Sequence, residues 1–507
     1  FTNSLLVGTS STGTLSSADG NTGVGIGVFG ALTTGDNNVA VGLNALDLNT
    51  TGLENVAVGK GALLANTTGN SNTAVGCGSL DANTTSSQNV AVGYESLGAN
   101  TTGADNNAFG ANALKSNTTG ANNTAVGHEV LCTNTDCNNN TGLGNFALKL
   151  NDAGDNTAVG FASMCATTTG TANVAVGTYS LDANTTGTCN TAVGHNSLGA
   201  NTTAELNTAI GRDSLKTNTT GIQNTALGHA ALDDNTTANN NTAVGAASLY
   251  KNTTGAANTA VGLIALCLNT TGSCNTAVGM CALISNTTGV CNVAVGYRSG
   301  FYISTGDRNV AVGSDVMFGS NAKTGDENTG VGYQSLFCLT SGTRNSAYGM
   351  SSFYNLTTGS NNTALGYESG ADAMYNLNGD SNRIVIGNNA STNAYIKIDW
   401  TVVSDLRDKT NIGTVPHGLN FVNQLNPISY QFKKSREDDT PTGAIRYGFK
   451  AQEILALEGE NNVLVNNDNE DSLKLTGAYL IPVLVNAIQE LKTQNDSLKS
   501  RIETLES

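Results

Sequence analysis

The chain has 507 residues, a formal net charge of −16, 60 glycines and only four prolines. The negative charge argues against a nucleic-acid-binding protein, because the phosphates would be repelled. No run of about 18 apolar residues occurs and no secretory signal is visible, so we expect neither a membrane-spanning helix nor membrane insertion.

Residues 1–20 precede the regular part of the sequence, and we assign them no role. The chain begins at Phe1 rather than at a methionine. We therefore expect a processed or partial protein, whose missing N-terminal part would join the body to something larger.

From residue 21 to about residue 388 the sequence repeats with a period of 17 residues. The consensus is Asn-Thr-Ala-Val-Gly-x-x-Ala-Leu-x-x-Asn-Thr-Thr-Gly-x-x, and we number its positions from the first asparagine. The stretch from Asn258 to Gly272 is a good example. The fifth-position glycine recurs from Gly42 to Gly144 and, after a one-residue deletion, from Gly160 to Gly313, with later copies at Gly332, Gly349, Gly366 and Gly387.

A short fixed period indicates a stacked array in which each unit buries its apolar side against its neighbours. Seventeen residues suit one coil of a parallel β-solenoid, which we predict to contain two short strands and two turns. The alanine, valine and leucine columns should point inward, and the asparagine and threonine columns should stack on themselves. The glycine of Asn-Thr-Thr-Gly should supply positive φ. Roughly 22 coils give a rod on the order of 105 Å long.

The predicted core is thin, because its columns consist mostly of small residues. We therefore expect the solenoid to oligomerise around a shared axis. The Asn-Thr-Ala-Val-Gly step resembles the head repeats of trimeric autotransporter adhesins over roughly residues 21–388. That resemblance implies β-rolls packed in threes, so the expected fold is a mostly β, trimeric β-solenoid, followed by a small α+β domain.

The ten cysteines show no metal-site spacing, since Cys132 and Cys137 have no His or Cys partners at zinc intervals. We therefore expect no metal and no cofactor. Cys274 and Cys291 share a column on adjacent coils, close enough for a disulfide. Free thiols in a chain folded in a reducing cytoplasm are the alternative.

Aromatic residues are rare before Cys291 and frequent from there to about residue 388. Exposed rings such as Tyr333 and Tyr354 would suit stacking on sugar faces. Larger side chains would also fill the core of a thicker rod, so both interpretations stay open.

Composition changes after Trp400, where charged residues become common. Within segment 389–403 we predict a strand over Tyr395–Val403, and further strands over Ile428–Phe432 and Arg446–Lys450. A short helix is predicted over Ala451–Leu457, and helix from Thr476 onward. The last helix carries a heptad that favours a coiled coil over a single amphipathic helix. Its a positions are Ile481, Ile488, Asn495 and Ile502, and its d positions are Leu484, Leu491, Leu498 and Leu505.

Ser404 and Lys409 stand at the start of this C-terminal region. A serine hydroxyl needs a base to become nucleophilic, and a lysine serves only if burial or a nearby cation lowers its pKa. Arg407 is a candidate for that cation, and Asp405 for orienting the turn or pairing with Arg407. An ordinary charged turn is the alternative interpretation of these residues.

The order of motifs over residues 404–507 resembles the C-terminal intramolecular chaperone of endosialidase tail spikes and many bacteriophage tail fibres. It comprises Ser404-Asp405-x-Arg407-x-Lys409, Asn411-Ile412, Tyr430, Tyr447-Gly448-Phe449-Lys450-Ala451-Gln452-Glu453 and the coiled coil. The resemblance implies a domain that trimerises, templates folding of the fibre and cuts itself off. It implies Ser404 as nucleophile, Lys409 as base and Val403–Ser404 as the scissile bond. Asp408 stands where such proteins often have an aliphatic residue, and its carboxylate would slow the reaction.

These observations favour a homotrimeric phage tail fibre or spike that binds a host-surface glycan or protein receptor. We expect it in the virion, made in the host cytoplasm and joined to the tail or baseplate through its N-terminal side. The only enzymatic activity expected is self-cleavage as a serine peptidase. The alternatives are a bacterial adhesin at the cell surface and an ice-binding solenoid with threonine ladders.

Overall fold

The computed structural model of the protein describes residues 4–8, 16–319, 321–371, 376–388, 390–391, 404–433, 436–459, 462–467 and 473–506. The chain forms two compact units, one running to Ile386 and one beginning at Gly387, with a short stretch at 372–376 grouped with the second. The strand predicted over Tyr395–Val403 lies outside the described residues.

The first unit is a parallel sheet of 23 strands, each three residues long. Each strand pairs with the next one along the chain, as Ala57 does with Ala74 one repeat later. The strands are β1 (Leu5–Val7), β2 (Thr22–Val24), β3 (Val39–Val41), β4 (Val56–Val58), β5 (Thr73–Val75), β6 (Val90–Val92), β7 (Asn107–Phe109), β8 (Thr124–Val126), β9 (Thr141–Leu143), β10 (Thr157–Val159), β11 (Val174–Val176), β12 (Thr191–Val193), β13 (Thr208–Ile210), β14 (Thr225–Leu227), β15 (Thr242–Val244), β16 (Thr259–Val261), β17 (Thr276–Val278), β18 (Val293–Val295), β19 (Val310–Val312), β20 (Thr329–Val331), β21 (Ser346–Tyr348), β22 (Thr363–Leu365) and β23 (Ile384–Ile386). The predicted parallel β-solenoid is therefore confirmed, and β1 extends it into the segment 1–20.

The prediction of two strands per coil is wrong, since each described coil contains one strand. The reason lies in the residues after the fifth-position glycine. Asn112 and Leu114, for example, have φ of 59° and 51°. A strand needs negative φ, so this part of each coil forms turns.

Alanine and leucine face inward as predicted, and Ala57 and Leu63 are fully buried. The prediction that valine faces inward is wrong: Val58 is half-exposed. Successive side chains of a strand point to opposite faces, so burying Ala57 turns its neighbours outward. The core contains asparagine instead, because Asn55 and Asn66 are completely buried.

Two asparagine ladders satisfy these buried amides, which confirms the predicted stacking. In the first-position ladder, the backbone N–H and Nδ2 of Asn38 donate to Oδ1 of Asn21 at 2.9 and 3.0 Å. Asn38 Nδ2 also donates to the Gly52 carbonyl at 2.9 Å. In the twelfth-position ladder, Asn66 Nδ2 donates to Asn49 Oδ1 at 2.9 Å. Each buried amide thereby ties two coils together.

The glycine of Asn-Thr-Thr-Gly is needed for a reason other than the one predicted. Gly272 is not among the residues with positive φ. A Cβ placed there would come within 2.5 Å of the Gly289 carbonyl oxygen and 2.4 Å of Asn269 Oδ1. Close approach of the next coil, rather than a left-handed backbone, therefore selects glycine.

The second unit has a small core of its own. Its elements are a 3-10 turn (Leu406–Asp408), α1 (Leu419–Val422), β24 (Ile428–Lys433), β25 (Pro441–Gly448), α2 (Ala451–Glu458), β26 (Val465–Asn466), β27 (Lys474–Leu475), a second 3-10 turn (Gly477–Tyr479) and α3 (Leu480–Glu506). β24 and β25 form an antiparallel hairpin, and β26 pairs antiparallel with β27. The predicted strand over Ile428–Phe432, the short helix and the terminal helix are confirmed, with small shifts at their ends. The strand predicted over Arg446–Lys450 overlaps only the last three residues of β25, which begins five residues earlier, at Pro441. Along the described part of the chain, no helix has both the length and the apolar run needed to cross a bilayer.

All ten cysteines are free thiols. Cys274 and Cys291, the pair considered for a disulfide, are both exposed. The structure therefore agrees with the free-thiol interpretation.

Candidate active site at Ser404 and the distal aromatic coils

A single 3-10 turn shapes the segment around Ser404. Asp405 caps it, because its carboxylate accepts a hydrogen bond from the Arg407 N–H at 2.9 Å. The Lys409 N–H closes the turn on the Leu406 carbonyl at 3.2 Å. This local geometry folds the chain back over five residues and brings Lys409 beside Ser404.

The two predicted catalytic side chains are in contact. Lys409 Nζ donates a hydrogen bond to Ser404 Oγ at 2.8 Å. An amine at this distance is in position to take the hydroxyl proton once the amine is neutral. Both residues are exposed in the single chain. A lysine that acts as a general base needs removal from water, because burial favours its neutral form. Val403, which would carry the scissile carbonyl, lies outside the described residues.

Arg407 pairs with Asp405, which is one of the two roles considered for Asp405 from the sequence. Its guanidinium binds the Asp405 carboxylate in a forked contact, with Nη2 to Oδ2 at 2.6 Å and Nε to both oxygens at 3.1 Å. This hydrogen bonding holds the pKa of Asp405 below its usual value. The negative charge of Asp405 offsets the positive charge of Arg407, and the pair stabilises the turn.

The segment that follows the turn is held by α3. Asn486 Nδ2 donates to the His417 carbonyl at 3.0 Å, and the Leu419 N–H donates to Glu490 Oε2 at 2.7 Å. The His417 ring stacks on Phe421 with centroids 4.2 Å apart. These contacts fix the start of α1 against the C-terminal helix.

A buried carboxylate organises the loop before β26. Glu458 accepts hydrogen bonds from the N–H groups of Val463, Leu464 and Val465 at 2.8, 2.7 and 3.1 Å. Three donors to one carboxylate replace the water that burial removes. Glu458 therefore joins α2 to the small core that contains Leu464 and Val465.

The helix α3 has two apolar faces. One face packs on the core of the unit and contains Leu480, Val483 and Ala487. The other consists of heptad residues that are exposed in the single chain, namely Ile481, Leu484, Ile488, Leu491, Leu498, Ile502 and Leu505. We call this second face the seam of α3, and exposed apolar strips of this kind are typical of contact surfaces.

The aromatic-rich distal coils divide into three groups. Phe353 is fully buried and fills the core. Phe301, Phe318, Phe337 and Tyr354 form a ladder of neighbouring rings. Tyr354 lies half-buried in this ladder, parallel to Phe337 with centroids 4.8 Å apart, and burial raises its pKa. Tyr297, Tyr333, Tyr348 and Tyr367 are exposed.

One notable side chain of these coils was missed by the sequence analysis. Lys323 occupies the column of Ile303 and Leu339 and is only 3% exposed. Its Nζ donates to the carbonyls of Phe337, at 3.1 Å, and of Leu339. Burial lowers the pKa of Lys323 to about 8. In the sequence, the only feature that could have pointed to this buried lysine is the loss of the twelfth-position asparagine in a coil of irregular length.

The residues around the Ser404 turn match a known protein family. Residues 404–464 match the family model described as the chaperone of endosialidase. The match begins at Ser404 and includes the Ser404–Lys409 contact, the β24–β25 hairpin and α2. A search of curated proteins found no match. Together with the β-solenoid body, the family match supports an endosialidase-type chaperone region from Ser404 onward.

Proposed function

We propose that this protein is a homotrimeric tail fibre or tail spike of a bacteriophage, whose C-terminal region guides assembly and then cuts itself off between Val403 and Ser404. The observation that carries the proposal is the 2.8 Å hydrogen bond between Lys409 Nζ and Ser404 Oγ, at the first residue matched to the chaperone of endosialidase. The long solenoid that precedes this site is the segment whose folding the C-terminal region would assist.

The proposed reaction uses the neutral amine of Lys409 as the base. Ser404 Oγ attacks the Val403 carbonyl carbon while its proton passes to Lys409 Nζ. The Val403–Ser404 C–N bond then breaks, and the departing nitrogen takes a proton to become the new amino terminus. Water hydrolyses the resulting ester between Val403 and Ser404 Oγ, which leaves a carboxylate on Val403 and restores the serine hydroxyl.

The exposed seam of α3 supports association of several chains. Isoleucine, leucine and asparagine at its a and d positions form a strip that two further helices of the same sequence would bury. Asn495 lies within this seam and would set the register. The number three follows from the resemblance of the body repeats to trimeric adhesin heads.

The outward-facing side of the solenoid sheet supports the same assembly. Its fourth-position column is apolar along the whole sheet and partly solvated in the single chain. The more exposed members are Val7, Val24, Phe109, Leu143, Val176, Ile210, Leu227, Val278, Val295, Tyr348, Leu365 and Ile386. Packing this column around a shared axis would remove a continuous apolar strip from water.

Assembly of several chains would cover the cleavage site, which is exposed in the single chain. Ser404 and Lys409 are exposed, and only a covered lysine has its pKa lowered enough to act as a base near neutral pH. We therefore place cleavage after association of the chains, so that cutting reports a completed fold.

In this proposal the receptor-binding surface belongs to the exposed sixth-position tyrosines of the distal coils, namely Tyr297, Tyr333 and Tyr367, since Tyr348 lies in the fourth-position column. Tyr333 offers an exposed ring, whereas Tyr354 is held in the ring ladder and supports it. Rings of this kind suit the apolar face of a sugar. The protein would then act in the virion, as the part that meets the host surface.

Expression of the full chain tests the proposal. The wild-type protein should yield a body ending at Val403 and a fragment whose N-terminal sequence begins at Ser404. Ser404→Ala and Lys409→Ala should each remain uncut while assembling normally. Ser429→Ala changes an exposed serine of the same unit and should leave cutting unaffected.

The assembled state is measured in parallel by light scattering. A wild-type protein that is trimeric yet uncut after prolonged incubation would overturn the peptidase assignment. A stable monomer would overturn the trimeric fibre itself.

A further inference from the structure

A groove crosses the solenoid coils between Leu43 and Lys115, far along the chain from the distal aromatic coils. Its volume is about 540 Å³. That size lies within the range of roughly 300–1,000 Å³ that is usual for ligand pockets. The groove is lined by residues at the sixth, seventh, tenth and eleventh repeat positions, which are among the positions that vary from coil to coil.

Two glycines that the backbone does not require open this groove. Gly61 and Gly78 stand at the seventh position of successive coils, both with φ of 66°. Non-glycine residues adopt the same left-handed conformation in the flanking coils, at Asn44 with φ of 56° and Glu95 with φ of 50°. A Cβ at Gly61 would meet nothing within 4 Å. The missing side chains therefore leave room that the fold itself does not need.

One wall of the groove is a tyrosine held by a polar chain. Tyr94 is 54% exposed and lines the groove. A hydrogen bond to Glu95 raises the pKa of Tyr94, and Glu95 in turn pairs with Lys115 at 2.6 Å. The ion pair holds the carboxylate and the ammonium group together at this wall. Groups that are held in place before a ligand arrives lower the entropic cost of binding.

The charged side chains that line the groove balance one another. Lys60 and Lys115 supply two cations, and Asp81 and Glu95 supply two anions. Burial raises the pKa of the Asp81 carboxyl, which indicates that it lies partly withdrawn from water. A highly charged ligand of either sign would be repelled by half of these groups. A ligand with many hydroxyl donors and acceptors would pair with all of them.

We infer that this groove binds a short stretch of an uncharged or zwitterionic glycan, with one sugar ring packed against Tyr94 and its hydroxyls bonded to Asp81, Glu95 and the flanking lysines. The inference rests on the proposed function, because a host-surface glycan is the receptor class named there. It adds a second contact region, so that a polysaccharide would touch the solenoid at more than one level.

A second groove at the same repeat positions supports a recognition edge along the solenoid. It measures about 400 Å³ and is lined by Phe146, Lys149, Leu150, Ala162, Cys165 and Ala166. These residues again occupy the seventh, tenth and eleventh positions. It likewise combines an aromatic ring with a lysine, and Lys149 lies 5.2 Å from the Phe146 centroid.

The test fills the groove without disturbing the fold. The double variant Gly61→Asn/Gly78→Asn introduces the residue found at the equivalent position in two nearby coils, at Asn44 and Asn112. Ala247→Asn makes the same change at the seventh position of another coil, where Ala247 has φ of 52°. These proteins and Tyr94→Ala, each expressed from the full chain, are compared on an array of neutral and zwitterionic bacterial capsule and O-antigen oligosaccharides.

Wild-type protein and Ala247→Asn should retain at least one glycan, and the double variant and Tyr94→Ala should weaken that binding by about tenfold or more. Unchanged binding by the double variant, or no glycan retained by wild-type protein, overturns the inference. Attachment to host cells separates failure of the groove proposal from failure of the fibre assignment. If wild-type and groove variants attach equally, the groove fails and the fibre assignment stands. If cell attachment falls with the groove variant while the array stays empty, the groove binds a ligand of another class and the assignment to an uncharged or zwitterionic glycan is wrong.

Discussion

Left-handed residues recur in every regular coil of the solenoid. One coil holds Asn112, Leu114 and Asn122 at φ of 59°, 51° and 60°. Each such residue costs roughly 1–2 kcal/mol relative to an ordinary backbone conformation. Strain of this size persists only where the surrounding structure over-determines it.

Hydrogen bonds between coils hold these residues in the left-handed conformation. The N–H of Asn112 donates to Tyr94, that of Leu114 to Val130 and that of Asn122 to Ala104, at 2.9, 3.0 and 3.1 Å. All three acceptors belong to adjacent coils. The strained residues are therefore paired only when their coil is stacked on both sides, which makes a single coil unstable by itself.

Lys323 allows a pH test at the scale of one residue. Burial lowers its pKa to about 8, against about 10.4 for a free lysine. Between these values the unfolded chain binds the proton and the folded chain does not, so stability rises with pH across this window. The gain should approach about 3 kcal/mol by pH 10.5. Below pH 8 both states are protonated, and the cost of the buried charge is fully present.

The measurement compares thermal unfolding of wild-type protein and Lys323→Leu from pH 7 to pH 10.5, with both proteins carrying Ser404→Ala so that they stay uncut and can refold. Wild-type protein should gain stability relative to the variant as pH rises, because leucine does not titrate. The neighbouring thiol of Cys338 is common to both proteins. Lys251→Leu is the control, since Lys251 is exposed and its hydrogen bond to Asp234 raises its pKa. Parallel pH profiles for wild-type protein and Lys323→Leu would contradict the buried-charge account.

At the scale of elements, the sequence predicted what depends on periodicity and local motif. The 17-residue spacing predicts a parallel solenoid because register follows directly from the repeat. The helix expected over Ala451–Leu457 was observed as α2 over Ala451–Glu458. The spacing of Ser404 and Lys409 became informative through the family resemblance, and the turn capped by Asp405 explains how they meet.

The sequence could not indicate which apolar column turns outward. Val58 and Leu63 are equally hydrophobic, yet only Leu63 is fully buried. The difference arises because Asn55 and Asn66 form hydrogen-bonded ladders, so polar residues occupy core positions that a hydrophobicity pattern gives to valine. Ladders between coils are tertiary contacts, and composition does not reveal them.

The seam of α3 allows a test of association at the scale of one element. Ile488→Asp places a charge at an exposed a position that the coiled coil would bury. Three such charges in one seam should prevent association of the helices, since an unpaired buried charge costs several kcal/mol. Sedimentation should then show monomers or irregular aggregates in place of trimers, and cleavage at Ser404 should fall with assembly.

Gln489→Asp provides the matched control for this change. It adds the same charge one residue further along, outside the a and d positions of the seam. Trimer mass and cleavage should both remain. Normal assembly of Ile488→Asp would show that the exposed face of α3 is not the contact between chains.

For the whole molecule, the strained coils explain why a chaperone accompanies this body. Every coil needs its neighbours before its backbone is satisfied, so the first stacked coils form against an unfavourable balance. In the proposed trimer the three chains must also start in the same register, and a one-repeat slip would keep most ladder contacts, because successive repeats are nearly identical. A C-terminal trimer formed by α3 would set that register from the end of the body.

Removal of this template after use should change how the body refolds. The body released by cleavage should be kinetically trapped: it persists because unfolding is slow and not because refolding is available. After complete denaturation and dilution, uncut Ser404→Ala protein should recover trimers, since its template is still attached. The cut body, separated from its C-terminal fragment, should give aggregates or misregistered oligomers under the same conditions. The yield of native trimer, measured by size and by resistance to protease, distinguishes the two. Equal recovery of both proteins would mean that the repeats find their own register, and the C-terminal region would then have no role in folding.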